Sequence, residues 1–142
     1  MLENYLKKAI EDLERLIDLT RLDIEDIKKG EHEAIFNRMG EKESTMRSFE
    51  THKSLIDQTI VQRAQSHSDS DLQNVLCGES KELLEQMRNR LEILHEENRR
   101  FARLVIAVGE FYDSLFSAMV PTESDGYRKK SAKAASLLEV RV

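Results

Sequence analysis

Apolar side chains recur at alternating steps of four and three residues along most of the second half of the chain. Asn98 occupies the single polar position in this run. The apolar members are Met87, Leu91, Leu94, Phe101, Val105, Val108, Tyr112, Leu115 and Met119. This spacing places a narrow apolar seam on an α-helix that packs against another helix. From Phe101 to Val120 additional apolar residues widen the seam to most of the circumference, so this part of the helix needs cover on more than one side.

The first half of the chain carries a similar pattern with one change of phase. The first helix is predicted to start near Leu2, and the 4, 3 alternation runs from Leu6. Beyond Gly30 the apolar positions move by one residue. Because glycine destabilises a helix interior by about 1 kcal/mol, we predict a kink or a brief break between Lys29 and Glu33. The pattern therefore predicts one long helical arm over residues 2–63, built from two segments.

A polar, serine-rich stretch from Ala64 to Asp71 predicts the loop that follows this arm. The second helix is predicted over residues 72–120, with Gly78 inside it, and Pro121 ends it. Two long helices joined by a short loop lie antiparallel. Such an arrangement would align Leu2–Lys29 with the apolar end of the second helix.

The predicted fold is therefore all-α and contains a single domain over residues 1–142. We expect a long antiparallel, coiled-coil-like helical hairpin with a kinked first helix and a short C-terminal segment at 122–142. The composition agrees, because the chain has one proline, no tryptophan and 35% charged residues.

The net charge of −5 is unevenly distributed. Residues 127–142 hold five basic side chains and one acidic side chain, a net +4, so the rest of the chain carries −9. The acidic residues 1–126 are poorly suited to binding nucleic acid, which is itself negatively charged. The basic tail lacks the aromatic residues that stack on bases. A basic tail that is solvated, or that folds back over the acidic helices, explains the asymmetry.

Sequence features that would predict a membrane or secreted protein are weak. The longest apolar run is Leu104 to Val108, far short of the roughly 20 residues that span a bilayer. Residues 2–15 are amphipathic and charged, unlike a signal peptide. The single cysteine, Cys77, excludes an internal disulfide and predicts a buried structural thiol. We expect a cytoplasmic protein without stable membrane insertion.

Candidate chemistry is equally sparse. Glu92 and His95 form one Glu-x-x-His pair, which is the local signature of di-iron bundles, but no second copy exists in the sequence. We therefore expect no enzymatic activity, no metal site and no cofactor. Asn98 has two interpretations: a polar residue that fixes the register of a helix pair, or a hydrogen-bonding group for another protein.

The order of features along the chain resembles the FlgN-type flagellar export chaperones, which serve the hook-filament junction proteins. A long amphipathic helix leads into a short stretch of small and acidic residues at 30–35. The second helix carries Leu91, Leu94 and Asn98. An aromatic residue beside a glycine, Gly126-Tyr127, precedes a small polar stretch and an apolar end at Leu137 and Leu138. The similarity in layout covers nearly the whole chain.

The resemblance implies a cytoplasmic binding protein without catalytic activity. Members of the family hold the C-terminal helical segments of their export cargo and deliver them to the flagellar type III export apparatus. The cargo region of the family corresponds to Phe101–Val120 and the tail. Tyr127 matches a tyrosine that is tied to docking at the export gate in some members, although here several basic residues follow it.

The residues themselves favour the same class of protein, because an amphipathic helix is recognised by apolar anchors at helical spacing. The candidate residues for binding another protein are Phe101, Leu104, Val108, Phe111, Tyr112, Leu115, Phe116, Met119, Tyr127, Leu137 and Leu138. The main alternative is a structural coiled-coil protein that homodimerises through the apolar face of its second helix. The sequence leaves the oligomeric state open.

Overall fold

A computed structural model describes residues 1–66 and 78–119 of the chain. In these ranges the chain forms three α-helices and no strand. We label them α1 (Leu2–Lys29), α2 (His32–Ser66) and α3 (Glu79–Met119). The predicted all-α class is confirmed.

Helix α1 ends at a glycine in the left-handed conformation. Gly30 has a φ of 75°, a conformation that residues with a Cβ atom rarely adopt. Its N–H bonds to the carbonyl of Ile27 at 3.2 Å, and the N–H of Glu31 bonds to the carbonyl of Asp26 at 2.8 Å. This pair of bonds is the Schellman motif, which satisfies carbonyls that the end of a helix leaves free. The predicted break after Lys29 is confirmed.

The chain divides into two compact units, Met1–Leu19 with Phe36–Leu94, and Thr20–Ile35 with His95–Val142. We call them the first and second units. The described part of the second unit ends at Met119. The single domain that the sequence predicts over residues 1–142 stays a prediction.

The relative direction of α1 and α2 in the first unit follows from two contacts between them. Arg15 pairs with Glu41 at 2.6 Å, whereas Asp12 contacts His52. A later residue of α1, Arg15, therefore contacts an earlier residue of α2, Glu41. The two helices are antiparallel. The antiparallel hairpin therefore lies between α1 and α2. The predicted two-segment arm over 2–63 does not continue in one direction, because the chain reverses at Gly30.

Helices α1 and α3 run in the same direction within the first unit. Ser80 donates to Glu3 at 2.6 Å, and Arg90 pairs with Glu14 at 3.2 Å. The predicted alignment of Leu2–Lys29 with the apolar end of the second helix is thus wrong for this part of α1. The physical reason is the reversal at Gly30, which makes α2 the antiparallel neighbour of α1 and leaves α3 parallel to it.

The core of the first unit consists mainly of residues from α1. Helix α2 contributes two buried residues, Phe49 and Ile56, to this cluster. Helix α3 adds Leu83, Met87 and Leu94. The buried members from α1 are Leu2, Leu6, Ala9, Ile10, Leu13, Leu16 and Ile17. The apolar seam that the sequence predicts for α1 therefore lies at the centre of the first unit.

Polar contacts supplement the small apolar contribution of α2. The carboxylate of Asp12 accepts a hydrogen bond from Ser48 Oγ at 2.9 Å and contacts His52 Nδ1 at 2.8 Å. Both side chains of this pair are largely buried, with 17% of Asp12 and 20% of His52 exposed. Three apolar residues of α2, Phe36, Met39 and Val61, are exposed.

Helix α3 begins later than predicted. Gly78 has a φ of 58°, which is not a helical conformation, and the helix starts at the next residue, Glu79. Gly78 therefore precedes the helix instead of bending it from within. Residues 72–77, which the sequence assigns to the same helix and which include Cys77, lie outside the described residues.

The second unit has an interior that mixes apolar and polar residues. Its buried apolar side chains include Ile24, Ile27 and Ala102. Four polar or acidic residues are buried there as well: Thr20, Asp23, Asp26 and Asp113. No helix in the described ranges is long and apolar enough to cross a membrane.

The contact between Glu3 and Ser80 makes the stability of the first unit depend on pH. The Ser80 hydroxyl, together with the backbone N–H of Glu3, lowers the pKa of Glu3 below its usual value of 4.5. A lowered pKa in the folded state stabilises the fold above the pKa of the unfolded chain, and this contribution disappears as the pH falls through the folded value.

We therefore expect Glu3→Gln to lower the midpoint of thermal unfolding at neutral pH and to have no such effect in acid below the folded pKa. Thermal scans of both proteins across the acid range measure this difference. A constant difference at every pH would contradict a role for the Glu3 charge.

Candidate partner-binding surface

Eight of the eleven candidate residues lie on the last five turns of α3. Four of these eight are half-buried: Phe101, Leu104, Val108 and Phe116. Tyr127, Leu137 and Leu138 lie outside the described residues, so their part in binding stays a prediction. The excess apolar surface that the sequence predicts is therefore concentrated toward the end of α3.

The other four candidates form one exposed apolar surface. Phe111 is 60% exposed, Tyr112 54%, Leu115 46% and Met119 80%. At 3.6 residues per turn these positions fall within an arc of roughly 100° on α3. We call this set, Phe111, Tyr112, Leu115 and Met119, the α3 apolar surface.

The end of α3 shows the reverse of the usual amphipathic order. Asp113 lies on the side of the helix away from Phe111 and Leu115, and it is only 5% exposed. A surface helix normally buries its apolar side and exposes its charges. Large apolar side chains grouped on an exposed surface mark a site of interaction with another molecule.

Aromatic contacts connect the α3 apolar surface to the start of α2. The rings of Phe111 and Tyr112 meet edge to face, with centroids 5.9 Å apart. The ring of Tyr112 also lies 6.2 Å from that of His32, and its hydroxyl is 3.5 Å from His32 Nε2. These contacts restrict the orientation of Tyr112 while more than half of its surface remains exposed.

The contact between His32 and Tyr112 is a feature that the sequence analysis did not predict. Eighty residues separate the two side chains in the sequence. His32 stands between Glu31 and Glu33, a charged sequence that is typical of a solvent-exposed turn. Only the reversal at Gly30 and the course of α3 bring them together. No local signal in the sequence could have identified this pair.

Polar side chains of α1 and α3 contact each other in the second unit. The buried Thr20 hydroxyl donates to Asn98 Oδ1 at 3.4 Å. One residue away along each helix, Arg21 and Glu97 form a pair at 3.9 Å. Asn98 therefore has an intramolecular contact across the helix pair, as its interpretation as a register-fixing residue predicts.

The described ranges hold no group of three or more histidine, cysteine, aspartate or glutamate side chains placed to bind a metal ion. Glu92 and His95, the pair with the spacing of a di-iron site, are both exposed on α3. The chemistry offered by the α3 apolar surface is therefore that of apolar contact and aromatic packing.

The chain matches no protein-family model, and no curated protein or solved structure matches it either.

Proposed function

We propose that this chain is a cytoplasmic export chaperone of the FlgN type. It binds the C-terminal helical segment of flagellar hook-filament junction proteins and delivers them to the flagellar type III export apparatus. The observation that supports this proposal most directly is the α3 apolar surface, where four large apolar side chains are exposed on one side of a helix.

The spacing of these side chains suits a helical ligand. Phe111, Leu115 and Met119 follow one another at intervals of four residues, which gives a row of anchors along the axis of α3. An amphipathic helix is recognised by such a row through its own apolar residues at intervals of three and four. Burying an exposed leucine or phenylalanine contributes about 1.5–3 kcal/mol, so a few anchors are enough for useful affinity.

Tyr112 gives the surface a polar edge. Aromatic residues with a polar atom are frequent at protein interfaces, because the ring packs while the hydroxyl group hydrogen-bonds. The contact with His32 holds the ring of Tyr112 in place before binding, so less conformational entropy is lost when the ligand arrives.

The test is a capture experiment from the native cytosol with the intact chain and with a Phe111→Ser, Leu115→Ser variant. We expect the intact chain to retain a hook-filament junction protein, identified by mass spectrometry. The variant should lose it, with affinity for the isolated C-terminal segment of that protein reduced on the order of 100-fold in titration calorimetry. Helicity by circular dichroism should change little, because both side chains are exposed.

A matched control is available on α2. Phe36 and Met39 are also exposed, and a Phe36→Ser, Met39→Ser variant removes similar apolar groups from another helix. This control should retain the same cargo as the intact chain. Identical cargo lists from all three proteins, or the absence of any flagellar export substrate from the intact chain, would reject the proposal.

The remaining parts of the proposal concern the export gate and the oligomeric state. We assign docking at the gate to Tyr127, by resemblance alone. A structural protein that homodimerises through the α3 apolar surface would be a stable dimer in light scattering, and the Phe111→Ser, Leu115→Ser variant would make it monomeric. A chaperone of the proposed type loses cargo in that variant whatever its oligomeric state.

A further inference from the structure

We propose that two copies of this chain associate by exchanging α1, so that α1 of one copy packs on α2 and α3 of the other. The ligand for the inner face of α1 is then a second copy of the chain. This interface is separate from the α3 apolar surface and does not depend on the proposed function.

The turn after α1 is suited to such an exchange because it is very short. Gly30 and Glu31 are the only residues between α1 and α2. Their N–H groups bond to carbonyls of α1 in the turn, and in a continuous helix the same groups would bond to neighbouring carbonyls of α1. Opening the turn therefore leaves no backbone donor unsatisfied, and short hinges between packed elements favour domain swapping.

Glycine at position 30 is what allows the reversal. Its φ of 75° is strained for any residue with a Cβ atom, and no atom lies within 4 Å of the place where that Cβ would be. The residues before and after the turn are already helical, from Ile27 to Lys29 and from His32 onward. The straightened form therefore needs a change at only two residues.

Charged side chains beside the buried face of α1 pair with both neighbouring helices. Arg15 pairs with Glu41 of α2, and Glu14 pairs with Arg90 of α3. Asp12 contacts His52 of α2. In an exchanged dimer these same contacts form between the two copies, each of them twice, because the interface has twofold symmetry.

Helix α2 makes few buried apolar contacts that must break when α1 separates from it. Only Phe49 and Ile56 of its thirty-five residues are buried. The polar contacts that supplement them are all re-formed in the exchanged dimer. Exchange therefore preserves the contacts of the first unit and changes the conformation of the chain at Gly30 and Glu31.

The first test uses opposite charge reversals in two separate proteins, Arg15→Glu and Glu41→Arg. Alone, each variant places like charges together, both within one chain and in an exchanged dimer of identical copies. In an equimolar mixture, α1 with Glu at position 15 faces α2 with Arg at position 41, and the other half of the dimer keeps the original pair. Native mass spectrometry should show the mixed dimer in at least roughly tenfold excess over either homodimer.

The second test uses Gly30→Ala, with Gly40→Ala as its matched control. Alanine is strained at the φ of Gly30 and favours a continuous helix, and both effects count twice in a dimer. We expect a dissociation constant lowered on the order of 1000-fold by Gly30→Ala in analytical ultracentrifugation. Gly40 lies inside α2 with open space around it and no positive φ, so Gly40→Ala should leave dimerisation unchanged.

The result that would overturn the proposal is a Gly30→Ala protein that stays monomeric at high concentration, or an equimolar charge-reversal mixture without excess mixed dimer. Dimers that form in statistical proportions and disappear in the Phe111→Ser, Leu115→Ser variant would assign self-association to the α3 apolar surface instead. Arg15 and Glu41 are each about half exposed, so both reversals should leave the helices folded, which circular dichroism verifies.

Discussion

Leu13→Ala is expected to lower the free energy of unfolding by about 3–4 kcal/mol and the midpoint of thermal unfolding by about 10 °C. Leu13 is fully buried, and it belongs to the apolar cluster of the first unit. Removing its isobutyl group loses the favourable free energy of burying that group away from water. It also leaves a cavity between α1 and its neighbours, because close-packed helices relax only in part. Urea denaturation monitored by circular dichroism measures this difference.

Leu22→Ala is the matched control for that experiment. Leu22 lies on the same helix, but it is 46% exposed, and alanine favours the helix at least as well as leucine. We expect a change within about 0.5 kcal/mol, typical of surface substitutions. Equal losses for the two leucines would mean that α1 is not packed as the structure shows.

Asp12→Ala is expected to lower the free energy of unfolding by about 2–3 kcal/mol, measured by the same denaturation. The Asp12 carboxylate accepts from the Ser48 hydroxyl and contacts His52 in a largely buried position between α1 and α2. Without it, Ser48 and His52, two half-buried polar side chains of α2, lose their hydrogen-bonding neighbour, and the cost of partly burying them is no longer offset.

A second aspartate provides the control for this prediction. Asp57 pairs with Lys53 on the exposed side of α2, where both side chains are more than half exposed. Asp57→Ala should change the stability by less than about 0.5 kcal/mol, as exposed ion pairs on one helix usually do. An Asp12→Ala protein no less stable than Asp57→Ala would show that the polar contacts do not hold α2 on α1.

The candidate surface was predicted from the sequence in part. The broad apolar region of α3 predicted that something other than the helix pair must cover it, and the exposure of Phe111, Leu115 and Met119 agrees with that reasoning. Periodicity could not separate these residues from Phe101 and Leu104, which are half-buried. Apolar character is a property of the residue, whereas exposure depends on which helix lies beside it.

Local physical chemistry determined the helices of this protein. The 4, 3 alternation, the shortage of proline and the glycine at position 30 are enough to predict the all-α class and the break after Lys29, since each acts through neighbouring residues alone. The tertiary structure decided the direction of the chain. A glycine in a helical pattern is compatible with a kink or with a reversal, and the left-handed φ of Gly30 is what makes α2 antiparallel to α1 in the first unit. That reversal also decides which side chains meet, Glu3 with Ser80 and His32 with Tyr112, because such long-range contacts depend on the path of the whole chain.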